Sequence, residues 1–264
     1  MATKRSRRNE AESSLCTCLR RNPLVQSVIE LEEIDSTNRV GKGLAAEGAP
    51  EGTLVVAKRQ SKGKGRLGRS FFSPEGGIYM SMVLRPKIPA EKALLVTTCA
   101  AVAVARAIER VSNVTAGIKW VNDIFVNGRK VCGILAEAGL SAVSEYPDYV
   151  ILGIGINVKK QSVPDELKDI VGCLEDTTER EILNEELIFA VWEEFEKFYG
   201  QLSTAVFMEE YKSRSILLGR EVTVLAATGD YRAVVTDIDK DGHLVIKRED
   251  KSEILSSGEV SVRL

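Results

Sequence analysis

At 264 residues, with 44% hydrophobic and 28% charged content, the chain can bury a substantial core and has room for a large domain and a small one. A net charge of −2 argues against a dedicated nucleic-acid binder, and no apolar run approaches the roughly 20 residues that span a bilayer. Five cysteines without framework spacing fit reduced thiols, and a single histidine, His243, argues against histidine-based acid–base catalysis and against a zinc site.

Residues 1–23 are polar and basic, carry Lys4, Arg5, Arg7, Arg8, Arg20 and Arg21, and lack the apolar core of a secretory signal. They read as a flexible arm, with the cytoplasm as the expected location. Val25 to Ile34 alternates as a strand, and Asp35-Ser36-Thr37-Asn38 offers capping side chains for a short helix toward Ala46. Gly48 to Gly52 breaks the chain, and Thr53 to Lys58 is a β-branched strand.

The segment Gln60 to Arg69 then places four cations and three glycines together (Lys62, Gly63, Lys64, Gly65, Arg66, Gly68, Arg69). Glycines let backbone amides curl toward a ligand and cations meet phosphate or carboxylate oxygens, so the loop is suited to holding an anion. Taken alone it fits equally a solvated connector or a sequence-independent nucleic-acid contact. The Walker A spacing is absent, and the G-x-G-x-x-G at Gly63 to Gly68 runs into more loop rather than a helix.

Gly77 to Leu84 alternates as a strand, and Glu91 to Val111 reads as a buried helix across the sheet. Gly117 to Val121 and Ile124 to Val126 are short strands. Asn127-Gly128 is a strong hairpin signal before the return strand Lys130 to Glu137. Cys132, beside Gly133 in an apolar run, reads as a small buried side chain. Tyr149 to Val158 is apolar on both faces and therefore a central strand. A polar loop fills 159–178, and helices follow at Glu181 to Tyr199 and Ala205 to Ser213. From Leu218 five short strands with intervening turns predict a small β-barrel.

Five blocks in fixed order make the chain resemble biotin–protein ligases. They are Ser36-Thr37-Asn38; the basic loop through Phe71-Phe72-Ser73-Pro74; Lys119-Trp120-Val121-Asn122-Asp123; Arg129 to Glu137; and Gly153-Ile154-Gly155-Ile156-Asn157. Gly219-Arg220-Glu221-Val222 is similar to the opening of the family's terminal barrel. Each block alone fits an ordinary strand end, turn or packing glycine; their joint occurrence from about residue 25 onward carries the resemblance.

The resemblance implies an α+β fold: a mixed β-sheet catalytic domain flanked by helices, of the class II synthetase-like biotin–lipoate ligase kind, plus a small C-terminal SH3-like β-barrel. The implied division is an arm at 1–23, a catalytic domain at 24–214 and the SH3-like domain at 215–264. With so few residues before the first strand, the expectation is a monofunctional enzyme without an N-terminal repressor domain and without specific DNA binding. The implied activity is ATP-dependent ligation of biotin to a lysine of a biotin carboxyl carrier protein through biotinyl-5′-AMP. ATP and Mg2+ accompany it, a homodimer is possible, and no protein-bound metal is expected.

By the same resemblance Lys119, Arg66 and Lys130 are catalytic. Ser36, Thr37, Asn38, Gln60, Gly63, Lys64, Arg66, Lys130, Gly133, Gly153 and Gly155 bind biotin. Arg66, Arg69, Phe71, Lys119, Asn122 and Asn157 bind the nucleotide, and Asp123 orients Lys119 or Lys130. The glycines allow close ligand approach, and the flap is expected to order around the adenylate. Three positions depart from the family pattern: Lys64 replaces an arginine and so a bidentate contact, Phe71 replaces tryptophan, and Val121 replaces a proline, which loosens one turn. Lipoate or octanoate ligation on the same fold, and a non-enzymatic RNA-binding module, are the rival readings.

Overall fold

The computed structural model describes residues 13–140, 143–226, 229–249, 251–256 and 261–263. Seven strands form one mixed sheet: β1 (Ser27–Ile34), β2 (Thr53–Gln60), β3 (Ile78–Leu84), β4 (Gly117–Lys119), β5 (Asp123–Val126), β6 (Arg129–Gly139) and β7 (Tyr149–Ile156). Their order is β1-β2-β3-β7-β6-β5-β4. β1 and β2 run parallel because the helix α2 (Thr37–Ala46) supplies the crossover between them. Every other neighbouring pair in this sheet is antiparallel.

The strand that is apolar on both faces, β7, takes the central place. Neighbouring β3 is buried along its whole length, because its alternation separates two covered faces rather than a wet and a dry one. Ile78, Met80, Met82 and Leu84 enter the main core, whereas Val83 packs with Ala45 of α2 and Ile151 of β7. The helix α3 (Leu94–Ser112) begins three residues later than its sequence pattern predicts, after a 3-10 turn at Ala90–Lys92. Its alanines and valines bury nearly every side chain against the sheet on one side and against α4 (Asn184–Tyr199) on the other.

The expected arm is corrected in part. Ser14–Leu19 forms the helix α1, with Leu15 and Leu19 buried and the helix lying on α4. Leucines four apart share one helical face, which is sufficient to dock a short helix on an apolar partner. Residues 1–12, with the cations at positions 4, 5, 7 and 8, lie outside the described residues.

After the short helix α5 (Met208–Ser213) the chain builds a second, antiparallel sheet: β8 (Glu221–Leu225), β9 (Tyr231–Ile238), β10 (Leu244–Arg248), β11 (Lys251–Leu255) and β12 (Ser261–Arg263). The order is β11-β10-β9-β8-β12, so the expected small β-barrel is a five-stranded antiparallel sheet. Its buried Val222, Val224, Ala233, Val235, Leu244 and Ile246 join the same core as the large sheet.

An ion-pair network ties α3, α4 and α5 together. Arg214, just past α5, bonds Glu109 of α3 at 2.7 Å and Glu210 of α5 at 2.9 Å, while Arg106 bonds Glu210 and Glu194. Burial works to raise the carboxyl pKa values of Glu109 and Glu210, but the arginine hydrogen bonds outweigh it and hold both below their ordinary value. Depressed carboxyl pKa values contribute stability above the unfolded value, and that contribution fades as the pH falls through the folded value. Arg214→Ala is therefore expected to lower unfolding free energy at neutral pH by about 1–2 kcal/mol, after allowance for solvent screening of a partly exposed network. The loss should shrink below about pH 4 as the carboxylates protonate. Urea titrations of both proteins at neutral and acid pH measure it, and an equal loss at both pH values contradicts it.

Candidate active site

The N-terminus of α2, the basic flap, the glycine floor of β6 and β7, and the β4–β5 turn close around one cavity of about 160 Å³. Ser36 stands at the helix N-cap in extended conformation but makes no capping bond there. Asp35 Oδ1 accepts from the Ser36 amide at 2.6 Å instead. Both Ser36 and Thr37 line the cavity, a departure from the capping role that their position predicts.

Behind them runs a line of neutral polar groups. Gln60 Oε1 accepts from Thr37 N at 2.8 Å and from Thr37 Oγ1 at 3.1 Å, and Gln60 Nε2 donates to Ser73 Oγ at 2.9 Å. Ser81 Oγ lies 2.7 Å from Thr37 Oγ1 and 2.6 Å from Asn38 Oδ1. Asn38 Nδ2 donates to Glu137 Oε2 at 2.8 Å. All of Ser36, Thr37, Asn38, Ser73 and Ser81 are buried.

The flap is a small hairpin. Phe71 N donates to Gly63 O at 2.9 Å, Gly65 N to Arg69 O at 2.7 Å, and Arg69 N to Arg66 O at 3.1 Å. Its tip turns through Leu67 and Gly68, both at positive φ, and Leu67 is more than half exposed. Gly63 does not line the cavity: its place is fixed by the flap's own backbone, since a Cβ there would strike Phe71 O and Ser73 Oγ. Lys64, Arg66, Arg69 and Phe71 do line it.

Phe71 explains two of the floor glycines. A Cβ on Gly155 would lie 2.5 Å from its ring, and one on Gly133 would lie 2.9 Å from it. These two glycines face each other across β6 and β7 and, like Gly153, line the cavity; the room they leave is taken up by the Phe71 ring. Gly153, two residues along, makes room for Asn38: a Cβ there would collide with the amide oxygen.

The third wall carries charge. Arg66 reaches across to Asn122 Oδ1 at 3.0 Å, and Asn122 Nδ2 donates to Ile134 O at 2.9 Å. Burial lowers the Arg66 pKa from its ordinary value, and the nearby Asp123 carboxylate works against that. Asp123 pairs with Lys130 at 2.7 Å. Lys130 also lies 5.9 Å from the Phe71 ring, and Lys119 lies 5.7 Å from the Phe125 ring. In all, five cations (Lys64, Arg66, Arg69, Lys119, Lys130) and one carboxylate line the cavity, in a chain of net charge −2.

This wall is held from behind. Trp120, which lines the cavity, donates its indole N–H to Gly242 O in the β9–β10 turn at 2.9 Å. Tyr211 OH of α5 donates to Val121 O at 3.0 Å, and the Trp120–Val121 peptide is cis. Val121 is buried, so the turn expected to be loosened is fastened. Ile118 exchanges backbone bonds with Arg214 and Ile216 of the linker to the second sheet.

Asn157 stands apart from the other candidates. Its Nδ2 donates to Gly172 O at 3.2 Å, and it lines a neighbouring groove of about 410 Å³ together with Phe72, Arg129, Lys168 and Cys173. That groove exists because residues 170–172 pair with the start of β6 around Lys130. Burial pushes the Cys173 thiol up to about 11, which keeps it protonated. Sequence reasoning missed Ser81, Ser73 and Glu137. A lone serine inside the apolar strand Ile78–Leu84 was a usable signal for the first.

A basic flap closing over a glycine floor, on a sheet whose helix N-terminus supplies neutral hydroxyls, defines the class: this is a ligase-type enzyme. The chain belongs to the biotin/lipoate A/B protein ligase family, whose model matches residues 30–157, and the biotin protein ligase C-terminal domain matches residues 217–263. It is 36% identical over 258 residues to the bifunctional ligase/repressor BirA of Bacillus spizizenii, covering 96% of this chain and 79% of that one. It is 28% identical to the biotin–[acetyl-CoA-carboxylase] ligase of Paracoccus denitrificans, with 87% and 98% covered. Among solved structures, the biotin protein ligase of Aquifex aeolicus in complex with biotin and ATP superposes with a TM-score of 0.75 at 33% identity, covering 90% of this chain and 99% of that one.

Proposed function

We propose that this enzyme joins biotin to a lysine of a biotin carboxyl carrier protein through biotinyl-5′-AMP. The observation that carries the reading is the polarity of one cavity: neutral hydroxyl and amide groups at the α2 end, five cations at the flap and β4–β5 end. Biotin fits that gradient, with a neutral ureido ring at one end and a carboxylate at the other. A carboxylate and a nucleotide triphosphate repel each other, so cations fixed between them lower the barrier to their meeting.

In the first step a carboxylate oxygen attacks the α-phosphorus and pyrophosphate leaves. In the second, the acceptor lysine's neutral amine attacks the acyl carbon, AMP leaves, and the nitrogen loses a proton. Ser36, Thr37 and Gln60 receive the ureido group, with Asn38 and Gly153 supporting them. Lys64, Arg66, Lys119 and Lys130 hold the carboxylate and α-phosphate oxygens, and Asp123 keeps Lys130 aimed. Arg69 meets the departing phosphates. Asn122, both of whose amide atoms are engaged, positions Arg66.

Phe71 covers the glycine floor between the two ligands, and the groove at Asn157 takes the nucleotide base. Because about 160 Å³ lies below the usual range for ligand cavities, the flap and Phe71 move outward on binding and close again over the anhydride. Magnesium fits as an ion carried on the nucleotide phosphates, since no group of three or more metal-ligating side chains occurs among the described residues. It would neutralise phosphate charge there.

The buried polar line favours biotin over lipoate or octanoate, whose acyl ends offer no hydrogen-bonding ring. The cations converge inward on a cavity rather than spreading over a face, which favours a small anion over RNA. A cytoplasmic location is part of the proposal, and no helix among the described residues is long and apolar enough to cross a membrane. A homodimer is included too, with β1 at the edge of the sheet among the described residues. The test is intact-mass spectrometry of a carrier domain incubated with the enzyme, ATP, magnesium and either biotin or lipoate. One biotinyl group per carrier, and none from lipoate, is the expected result; modification by lipoate alone overturns the reading.

A further inference from the structure

The buried polar line has a direction, and its direction starts at a residue that does not line the cavity. Glu137 lies on β6 and its carboxylate can only accept hydrogen bonds. Its contact with Asn38 at 2.8 Å therefore fixes which end of the Asn38 amide faces it: Nδ2 toward Glu137, Oδ1 toward Ser81. The Leu135 carbonyl, at 3.4 Å, is a second and longer acceptor for the same Nδ2, so Glu137 supplies the shorter of the two bonds. An amide oxygen also only accepts, so the single Ser81 hydroxyl proton goes to Asn38 at 2.6 Å.

Ser81 Oγ then has lone pairs left for Thr37, 2.7 Å away, and Thr37 spends its proton inside the line, on Ser81 or on Gln60 Oε1 at 3.1 Å. Toward the cavity Thr37 is left with lone pairs alone. From these constraints we infer that Glu137 is a positioning residue for ligand recognition: by orienting Asn38 and Ser81 it makes Thr37 a hydrogen-bond acceptor, matched to an N–H of the bound ring.

Without the Glu137 acceptor only the long Leu135 bond keeps the Asn38 amide in place, so the amide is free to turn its NH2 toward Ser81, and the Ser81 and Thr37 protons then reorient. Thr37 then points a hydrogen at a ligand N–H. Gly153 sharpens the arrangement, because the absence of a Cβ there is what lets Asn38 Oδ1 sit at this depth. The inference rests on biotin being the ligand, and the test separates the two claims by first measuring biotin and ATP affinity of the unaltered enzyme by calorimetry. Failure of that protein to bind biotin counts against the proposed function.

If it binds, Glu137→Ala is expected to weaken biotin about tenfold while ATP affinity stays within twofold. Glu137→Gln, whose amide oxygen still accepts from Asn38, is expected to restore biotin affinity to within twofold. Ser81→Ala cuts the line at its middle and should give the same biotin-specific loss, and Glu137→Ala added to it should cost nothing more. A Glu137→Gln variant as weak as Glu137→Ala overturns the inference, since charge rather than orientation would then be acting. So do additive losses in the double variant, or a parallel fall in ATP affinity. Should Glu137→Ala not fold, Ser81→Ala alone decides, with unchanged biotin binding as the contrary result.

Discussion

Lys130→Ala is expected to lower the rate of adenylate formation by about 10²–10³-fold, with biotin affinity reduced much less. Two losses combine in this variant. The cation proposed to face the reacting oxygens disappears, and Asp123, which Lys130 meets at 2.7 Å, keeps its charge in the cavity without that partner. That carboxylate repels the same anions that the site gathers. Single-turnover measurement of pyrophosphate release separates the chemical step from binding. The double variant Lys130→Ala with Asp123→Asn should recover part of the loss, whereas Asp123→Asn alone should be the mildest of the three. A Lys130→Ala enzyme with unchanged single-turnover rate would remove Lys130 from the mechanism proposed here.

Gly153→Ala is the second large effect. Its new methyl group would collide with the Asn38 amide oxygen, in the middle of a central strand with no freedom to retreat. Asn38 must leave, and with it the order of Ser81, Thr37 and Gln60. Biotin affinity is expected to fall at least about 100-fold, equivalent to about 2.7 kcal/mol, while the sheet remains folded. Equilibrium dialysis with labelled biotin, alongside a thermal melt, tests this. Binding close to that of the unaltered enzyme would show that the Asn38 line is irrelevant to the ligand.

The two effects differ in where they act, and the sequence reveals them unequally. Lys130 is legible because it follows an Asn-Gly hairpin and so must begin a strand. Gly153 is legible as a position, but its reason is not: a glycine in a strand says that something approaches closely without saying what. The structure supplies Asn38 there and the Phe71 ring at Gly133 and Gly155. The long periodic elements α3 and β7 could be read from pattern alone, because burial on both faces leaves few polar residues to obscure it.

Elements stabilised by distant partners were harder. Two leucines in α1 carry too little periodicity to outweigh their polar neighbours, and a distant element, α4, gives them a place to pack. Asn157 follows a strand that borders the cavity, yet the pairing of residues 170–172 with β6 assigns it to the adjoining groove. No local signal reports a contact of that kind. Glu137 was invisible for a similar reason, since its partner is 99 positions away along the chain.

The indole of Trp120 joins two parts of the molecule that sequence comparison treats as separate units, residues 30–157 and 217–263. A wall of the reaction chamber is thus buttressed by the turn at Gly242, which belongs to the small sheet. Removing that sheet is therefore expected to unseat the segment carrying Lys119 and Asn122, so the small sheet acts as more than an accessory. The cavity wall and the terminal sheet are mechanically joined at that bond.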